Sequence, residues 1–320
     1  MSNSSSTSTL QPCILSVLLL LCISGIECKS QLKDIGVGDG IIIGSGIVID
    51  LLARSKKVNI REKNKSPWGI DKRALNRVYL NAKSHSDIAL KGIAPLTLLG
   101  SQIVIDDPGR SVYISLETIL INDILNVITK KVVGRPRPFT RNKLLPNEPG
   151  FGKCMAYNKS DEDAYLSFYS GHTAHVAGAM FLTSTMMWYY NADFRNNSWL
   201  WYVGAAIPAM VGYQRIRAGK HFPTDVLVGY TVGAAVGYLV PKWHEDTNAI
   251  QTLDTSDLQE NMILSSLSGI ALLAILSRTL GKDDKHCDCC IKTSQIPKKN
   301  KWRLTPVTSY YTGLRLTYAL

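Results

Sequence analysis

Residues 214–225, Gln-Arg-Ile-Arg-Ala-Gly-Lys-His-Phe-Pro-Thr-Asp, gather cations, a histidine and a carboxylate just ahead of an apolar stretch at 226–241. Arginine, histidine and aspartate beside the start of an apolar helix suit a buried anion, because free amides and the helix dipole favour negative charge there. Two further groups belong with them. Lys130 is followed after six residues by Arg137-Pro138, and Ser170-Gly171-His172 opens the apolar stretch 173–191. A phosphoryl group in transfer carries charge on its equatorial oxygens and needs fixed cations around it. Arg137 and Arg215 fit that need because a guanidinium binds two oxygens at once, and Lys130 adds a point charge. The Ser170 hydroxyl and Gly171 amide lie at a helix start, and Pro223 suits the first turn of the next helix.

Taken singly, each group has a plain structural reading. A Lys or Arg at a helix end satisfies the C-terminus, a lone histidine is commonly a satisfied core residue, and His221 with Asp225 is a common structural pair. The order and spacing Lys-x6-Arg-Pro, Ser-Gly-His, Arg-x5-His-x3-Asp resembles the type 2 phosphatidic acid phosphatase and vanadium haloperoxidase superfamily, over 130–225. Tyr169 stands where that family has proline, and Gln214 where it has serine. Neither is a chemical player by type, so they bear on substrate range and rate more than on reaction class.

The resemblance implies that His221 attacks phosphorus, giving a phosphohistidine that water hydrolyses. Asp225, four residues on and on the same helical face, would hold the other ring nitrogen. His172 would protonate the leaving oxygen and then activate water. No metal or cofactor is implied, since the cations do the electrostatic work. The reading is a phosphoric ester hydrolase acting on a phosphorylated lipid, a polyprenyl diphosphate or a small phosphate ester. One alternative is a haloperoxidase, the only case calling for vanadate. Another is a non-catalytic membrane scaffold or lipid-binding protein, motivated by Tyr169 and Gln214. Arg217 and Lys220 read as surface charge, His175 as helix packing, and His85, His244 and His286 as uninvolved.

The elements that must position these residues are apolar helices. Candidates run at 36–53, 71–79, 88–105, 112–133, 173–191, 199–213, 226–241 and 262–276, with no convincing internal strand alternation. They predict an all-α bundle of about six core helices spanning 36–278, with its catalytic core at 112–241. A loop-rich insert at 139–168 would line the entrance with Tyr157, Tyr165 and Phe168. Several segments approach a bilayer span, so the bundle reads as membrane-embedded. The uncharged segments 173–191 and 199–213 look the most membrane-like. The alternative is a soluble bundle, because Asp50, Lys91 and Asp123 would be costly facing lipid. In the tail at 279–320, Thr312, Leu314, Leu316 and Tyr318 alternate with other types, as in a short strand or hairpin.

Composition agrees. Hydrophobic residues reach 45% and charged ones only 19%, between a soluble domain and a polytopic membrane protein. The net charge of +11 favours an anionic partner. No RNP, zinc-finger or basic-zipper pattern is present, which sets nucleic acid aside. Residues 1–28 read as an export signal or N-terminal anchor, placing the active site on the side away from the cytoplasm. Basic motif loops on that side would run against the positive-inside tendency. Of seven cysteines, Cys287, Cys289 and Cys290 form a cluster without the second ligand pair of a zinc module.

Overall fold

The computed structural model describes residues 36–56, 67, 69–75, 80–104, 108–141, 162–190, 195, 198–245, 255–279, 302–309 and 311–318. The 1–28 segment, Cys154, Tyr157 and the cysteine cluster lie outside them. The helices are α1 (Val37–Ser55), α2 (Leu80–Ile88), α3 (Ala94–Val104), α4 (Pro108–Val133), α5 (Gly171–Tyr190), α6 (Trp199–Arg217), α7 (Pro223–Trp243) and α8 (Ser256–Thr279). A π-turn, Ala89–Ile93, joins α2 to α3. In the tail, β1 (Trp302–Ser309) and β2 (Tyr311–Tyr318) pair antiparallel, Trp302 opposite Tyr318. Among the described residues the fold is therefore all-α apart from this hairpin.

α5 is the centre. It carries no acidic or basic residue other than His172 and His175, and nearly all of 171–189 is buried. α3, α4, α6 and α7 pack around it, α8 covers α6, and α1 lies along α4. The apolar character of 173–191 thus marks a helix enclosed by other helices, and, contrary to expectation, neither it nor 199–213 is among the candidate membrane spans of the described residues. Among the described residues, the segments long and apolar enough to cross a membrane are Pro108–Arg141, Pro223–Trp243 and Ser256–Arg278. Exposed Ile41, Leu51, Leu96, Leu99, Ile263 and Leu267 add apolar surface on α1, α3 and α8. Each would forgo roughly 1.5–3 kcal/mol of burial in water, so lipid is the matching surroundings. The charges that argued against lipid are partly answered inside the bundle, where Arg54 bridges Asp50 at 2.7 Å and also pairs with Asp123.

α5 and α7 touch backbone to backbone. Gly229, Gly233 and Gly237 recur every four residues and face Ser170, Ala174 and Gly178, which do the same. A Cβ on Gly229 would lie 2.6 Å from Ser170 O, and one on Gly233 or Gly237 would overlap Ala174 O or Gly178 O outright. Small residues at this spacing are what let two helices approach so closely. From α4, Asn122 Nδ2 donates to Ala174 O at 2.8 Å and fixes α5 from its other side. Beyond the glycines, Phe181 meets Trp201 and Tyr230 edge to face, with centroids 6.1 and 6.2 Å away.

Of the short helix expected at 71–79, the described part is a 3-10 turn, Gly69–Ala74, and 76–79 lie outside the described residues. Its Asp71 is fully buried and points at Arg135 and Thr224, so the segment is shaped by that pairing rather than by helical periodicity.

A Gly233→Leu variant should lose thermal stability in detergent by about 1–3 kcal/mol or more, the cost of overpacking. Gly40, with nothing within 4 Å of an added Cβ, should tolerate Ala with a gain of about 0.4–1 kcal/mol. Similar melting of the two variants would contradict the packing described.

Candidate functional site

The motifs meet at one end of the bundle, where α4 and α6 finish and α5 and α7 begin. Two glycines make the turns. Gly134 at φ 54° follows α4, its N–H donating to Lys130 O at 2.9 Å. Gly219 at φ 66° follows α6, its N–H donating to Ile216 O at 3.0 Å. Only glycine adopts this region without strain. The turns are sewn together by main-chain bonds: Arg137 N to Ala164 O at 2.8 Å, Ser167 N to Arg135 O at 2.9 Å, Phe139 N to Gly219 O at 3.1 Å and Ser170 N to Asp225 O at 3.0 Å.

His221 is buried. Its Nδ1 lies 2.7 Å from Ser167 O. A carbonyl only accepts, so Nδ1 carries the proton and Nε2 presents a lone pair. Arg137 Nη1 stands 3.2 Å from that Nε2 and 3.1 Å from Lys220 O. Burial, reinforced by Arg137 and Arg215, holds the His221 pKa well below its usual value, which keeps the ring neutral and its lone pair available.

The site's cations carry carboxylate partners that sequence reasoning did not find. Asp163 Oδ1 accepts from Arg137 Nη2 at 2.6 Å, and its Oδ2 is 3.4 Å from Lys220 Nζ. Asp87 Oδ1 lies 2.8 Å from His172 Nε2 and 3.4 Å from Arg215 Nη1, which also donates to Ser86 Oγ at 3.2 Å. Burial alone would raise Asp163, but Arg137 and Lys220 overcome it and hold the carboxyl below its usual range. Asp87 is lowered by the hydrogen bond from His172, with burial opposing. Burial also pushes His172 down to about 4 against the pull of Asp87, with Arg215 adding to the fall. Lys130, Arg137, Arg215 and Lys220 thus face two carboxylates, and the surplus of positive charge suits a phosphate dianion.

Lys220 is a correction to the reading as surface charge. It is buried, lies 5.1 Å over the Phe139 ring, and burial with Arg137 nearby lowers its pKa to about 8. Arg217 stacks on Tyr213 at 5.6 Å. A Cβ on Gly171 would fall 2.7 Å from Asn126 Oδ1 and 3.1 Å from Lys130 Nζ, so those two side-chain tips would have to move. Ser170 is buried and its Oγ pairs with Thr173 Oγ1 at 2.9 Å.

Asp225 does not hold His221 directly. Its Oδ2 is 3.9 Å from Nδ1, beyond hydrogen-bond range. As the third residue of α7 it accepts from Phe222 N at 2.8 Å, from Ser167 Oγ at 2.6 Å and from Arg135. Ser167 therefore carries the connection, giving its hydroxyl to Asp225 and its carbonyl to His221. Arg135 is fixed in turn by Asp71 at 2.6 Å and by stacking 4.3 Å over Phe222.

The two departures from the family pattern take structural places. Tyr169 is buried, and its carbonyl accepts from Asn126 Nδ2 at 3.1 Å. Gln214 Oε1 is buried and makes no hydrogen bond among the described residues. A cavity of about 510 Å³ reaches Lys130, Gly171 and His172 and is bordered by Asp163 and Leu166. Tyr165 is not in its wall, packing instead with Phe139 and Ala164, and Phe168 is not either.

No spacing rule could have revealed Asp87 or Asp163, which join the site only through tertiary contact. The nearest signal is local. Asp87 lies two residues before the π-turn at 89–93, and such turns are frequent at functional sites.

Comparisons with known proteins agree with this geometry. The PAP2 superfamily model matches residues 111–249. Lipid A 4'-phosphatase of Porphyromonas gingivalis is 37% identical over 23% of this chain and 28% of its own. Phospholipid phosphatase 2 of Bos taurus is 29% identical over 39% of this chain and 48% of its own. Undecaprenyl-diphosphatase of Sulfolobus acidocaldarius is 27% identical over 36% of this chain and 47% of its own. The chain spans less than half the length of each of these relatives. All three motifs lie inside the segment that the PAP2 superfamily model matches, residues 111–249, and converge at one end of its helices, so this part of the chain is similar to that superfamily.

Proposed function

We propose that this chain is a metal-independent phosphatase that hydrolyses phosphate esters at a membrane face through a phosphohistidine on His221. The observation that carries the reading is the pairing of His221 Nδ1 with Ser167 O, which turns a neutral Nε2 toward Arg137 within the cation cluster. The relatives' names, lipid A 4'-phosphatase and phospholipid phosphatase among them, support a lipid substrate. So do three segments long and apolar enough to cross a membrane. An export segment at 1–28 would put the site on the face away from the cytoplasm.

In this reading the substrate phosphate takes the places of Asp87 and Asp163 on Arg215, Arg137 and Lys220. His221 Nε2 attacks phosphorus and the ester P–O bond breaks. Asp87 holds the proton on His172 Nε2, so the second proton of that ring sits on Nδ1 and passes to the leaving oxygen. In the second half, His172 takes a proton from water, the hydroxide oxygen bonds to phosphorus, and the P–N bond breaks to release phosphate. The fixed cations stabilise charge in both transition states, so no metal is needed.

The His172 pKa of about 4 belongs to the substrate-free site. A bound phosphate dianion offsets Arg215 and Lys130 and raises it, loading the acid for the first step.

Purified protein in detergent with EDTA should release phosphate from p-nitrophenyl phosphate. His221→Ala should abolish release, and Arg215→Ala should reduce it about 10²–10³-fold. Release that survives His221→Ala, or that needs an added divalent metal, would overturn the mechanism. Asp87 raises the His172 pKa, so Asp87→Asn lowers it and the protonated acid is lost at lower pH. The alkaline limb of the kcat profile should move to lower pH and the rate at pH 7 should fall about tenfold, within the ~10²–10⁴-fold that acid–base assistance supplies. An unmoved limb would remove Asp87 from that role.

A further inference from the structure

Asp225 stands 3.9 Å from His221 at the edge of a charge cluster whose other members the mechanism does not use. Asp71 comes from the 3-10 turn before α2, Arg135 from the turn after α4, and Asp225 from the first turn of α7. One guanidinium bridges the two carboxylates. Arg135 Nη2 donates to Asp71 Oδ2 at 2.6 Å, and its Nη1 donates to Asp225 Oδ1. Both carboxylates are fully buried. Two carboxylates against one guanidinium leave one negative charge in the cluster.

Asp71 also closes the start of α7. Its Oδ1 accepts from Thr224 N at 3.1 Å, and Thr224 Oγ1 donates to its Oδ2 at 2.8 Å. Thr224 is the second residue of α7. A helix start whose free amides would suit a bound anion is thus filled by a carboxylate of this chain. Asp71 does not border the cavity that reaches Lys130 and His172.

The surroundings of His221 give that negative charge a use. Lys130 on α4, Arg137 on the turn after it and Arg215 on α6 all disfavour positive charge on the ring. Lys220 precedes it directly, and Asp163 and Asp87 are engaged with Arg137, Lys220 and Arg215. Attack on phosphorus makes the ring positive, because Nε2 gives up its lone pair while Nδ1 keeps its proton. Asp225 supplies negative charge on the Nδ1 side. Paired with Arg135 alone, Asp225 would form a neutral couple. Asp71 cancels Arg135 and leaves the Asp225 charge for the ring. In a buried site such charges act over several ångströms, because little water screens them. Arg141 also feels the charge of Arg135, but it is half open to solvent.

We propose that Asp71 is a positioning residue for phosphoryl transfer, which neutralises Arg135 so that Asp225 stabilises positive charge on His221. The assignment rests on the phosphatase reading above, in which His221 is the nucleophile. Asp71 lies outside the segment matched to the PAP2 superfamily, residues 111–249. A plain staple of the 69–74 turn onto α7 would use the same bonds but would leave the charge at His221 untouched.

The test is release of phosphate from p-nitrophenyl phosphate in detergent by three variants. Asp71→Asn should lower kcat about tenfold, the scale of coupling within one ion-pair network, with KM unchanged because the phosphate cations are untouched. The acid limb of the kcat/KM profile reports protonation of His221 in the free enzyme. Loss of the Asp71 charge disfavours the imidazolium and moves that limb to lower pH. Arg135→Gln removes a cation and moves it to higher pH. Asp71→Asn combined with Arg135→Gln removes one charge of each sign. Its limb should return toward wild type, and its kcat should exceed that of Asp71→Asn alone. A staple instead predicts lowered melting temperatures, losses that accumulate in the double variant and no movement of the limb. Limbs that coincide, or a double variant slower than Asp71→Asn, would overturn the assignment, as would loss of the fold in all three. Any one variant that folds decides by the direction of its own shift. A wild-type protein that releases no phosphate would sink the phosphatase reading, and this assignment with it.

Discussion

The contact of α5 with α7 is the constraint on which the rest of the structure depends. Gly229, Gly233 and Gly237 bring the α7 backbone against Ser170, Ala174 and Gly178. At the site end this contact is continued by Ser170 N donating to Asp225 O. It fixes the start of one helix, with Ser170-Gly171-His172, against the start of the other, with His221 and Asp225 just before and within it. A side chain at Gly229 would force Ser170 away and open the site from beneath. Catalytic geometry needs reacting groups held to a fraction of an ångström, and a backbone contact is stiffer than any contact between side-chain tips.

Electrostatics is the second requirement that the fold has to meet. Lys130, Arg137, Arg215 and Lys220 converge in a region sheltered from water, where like charges repel strongly. Asp163 and Asp87 relieve that repulsion without removing the cations. A separate group, Asp71, Arg135 and Asp225, is closed on itself and serves as framework for the Ser167 and Phe222 turns. The carboxylates thus divide by work: Asp87 and Asp163 pair with the cations that the proposed mechanism assigns to the substrate phosphate, while Asp71 and Asp225 hold the loops in place.

Much of the site was legible in the sequence because the motif spacings are local. Lys130 and Arg137 flank one turn, His221 and Arg215 another, and each turn is set by a glycine with positive φ. Helix positions were legible for the same reason, through apolar runs ended by polar turns. What was not legible came from tertiary placement. Asp225 looked like the partner of His221 on spacing alone, yet its position as third residue of α7 gives its carboxylate to Phe222, Ser167 and Arg135 instead. Lys220 looked solvated because a charged residue in a turn commonly is, and only the packing of Phe139 and Asp163 around it shows otherwise. An uncharged run at 173–191 is compatible with lipid and with a protein core alike, and only its neighbours show that α5 is core.

The central claim is that His221 Nε2 becomes covalently phosphorylated. It is tested most directly by rapid quench of the protein during turnover of a ³²P-labelled phosphate ester, followed by mapping of the acid-labile, base-stable label. The account predicts label on the peptide bearing His221, at Nε2, because Nδ1 is committed to Ser167 O. Label on another residue or at Nδ1, or turnover with no trapped intermediate under conditions that slow its hydrolysis, would contradict it.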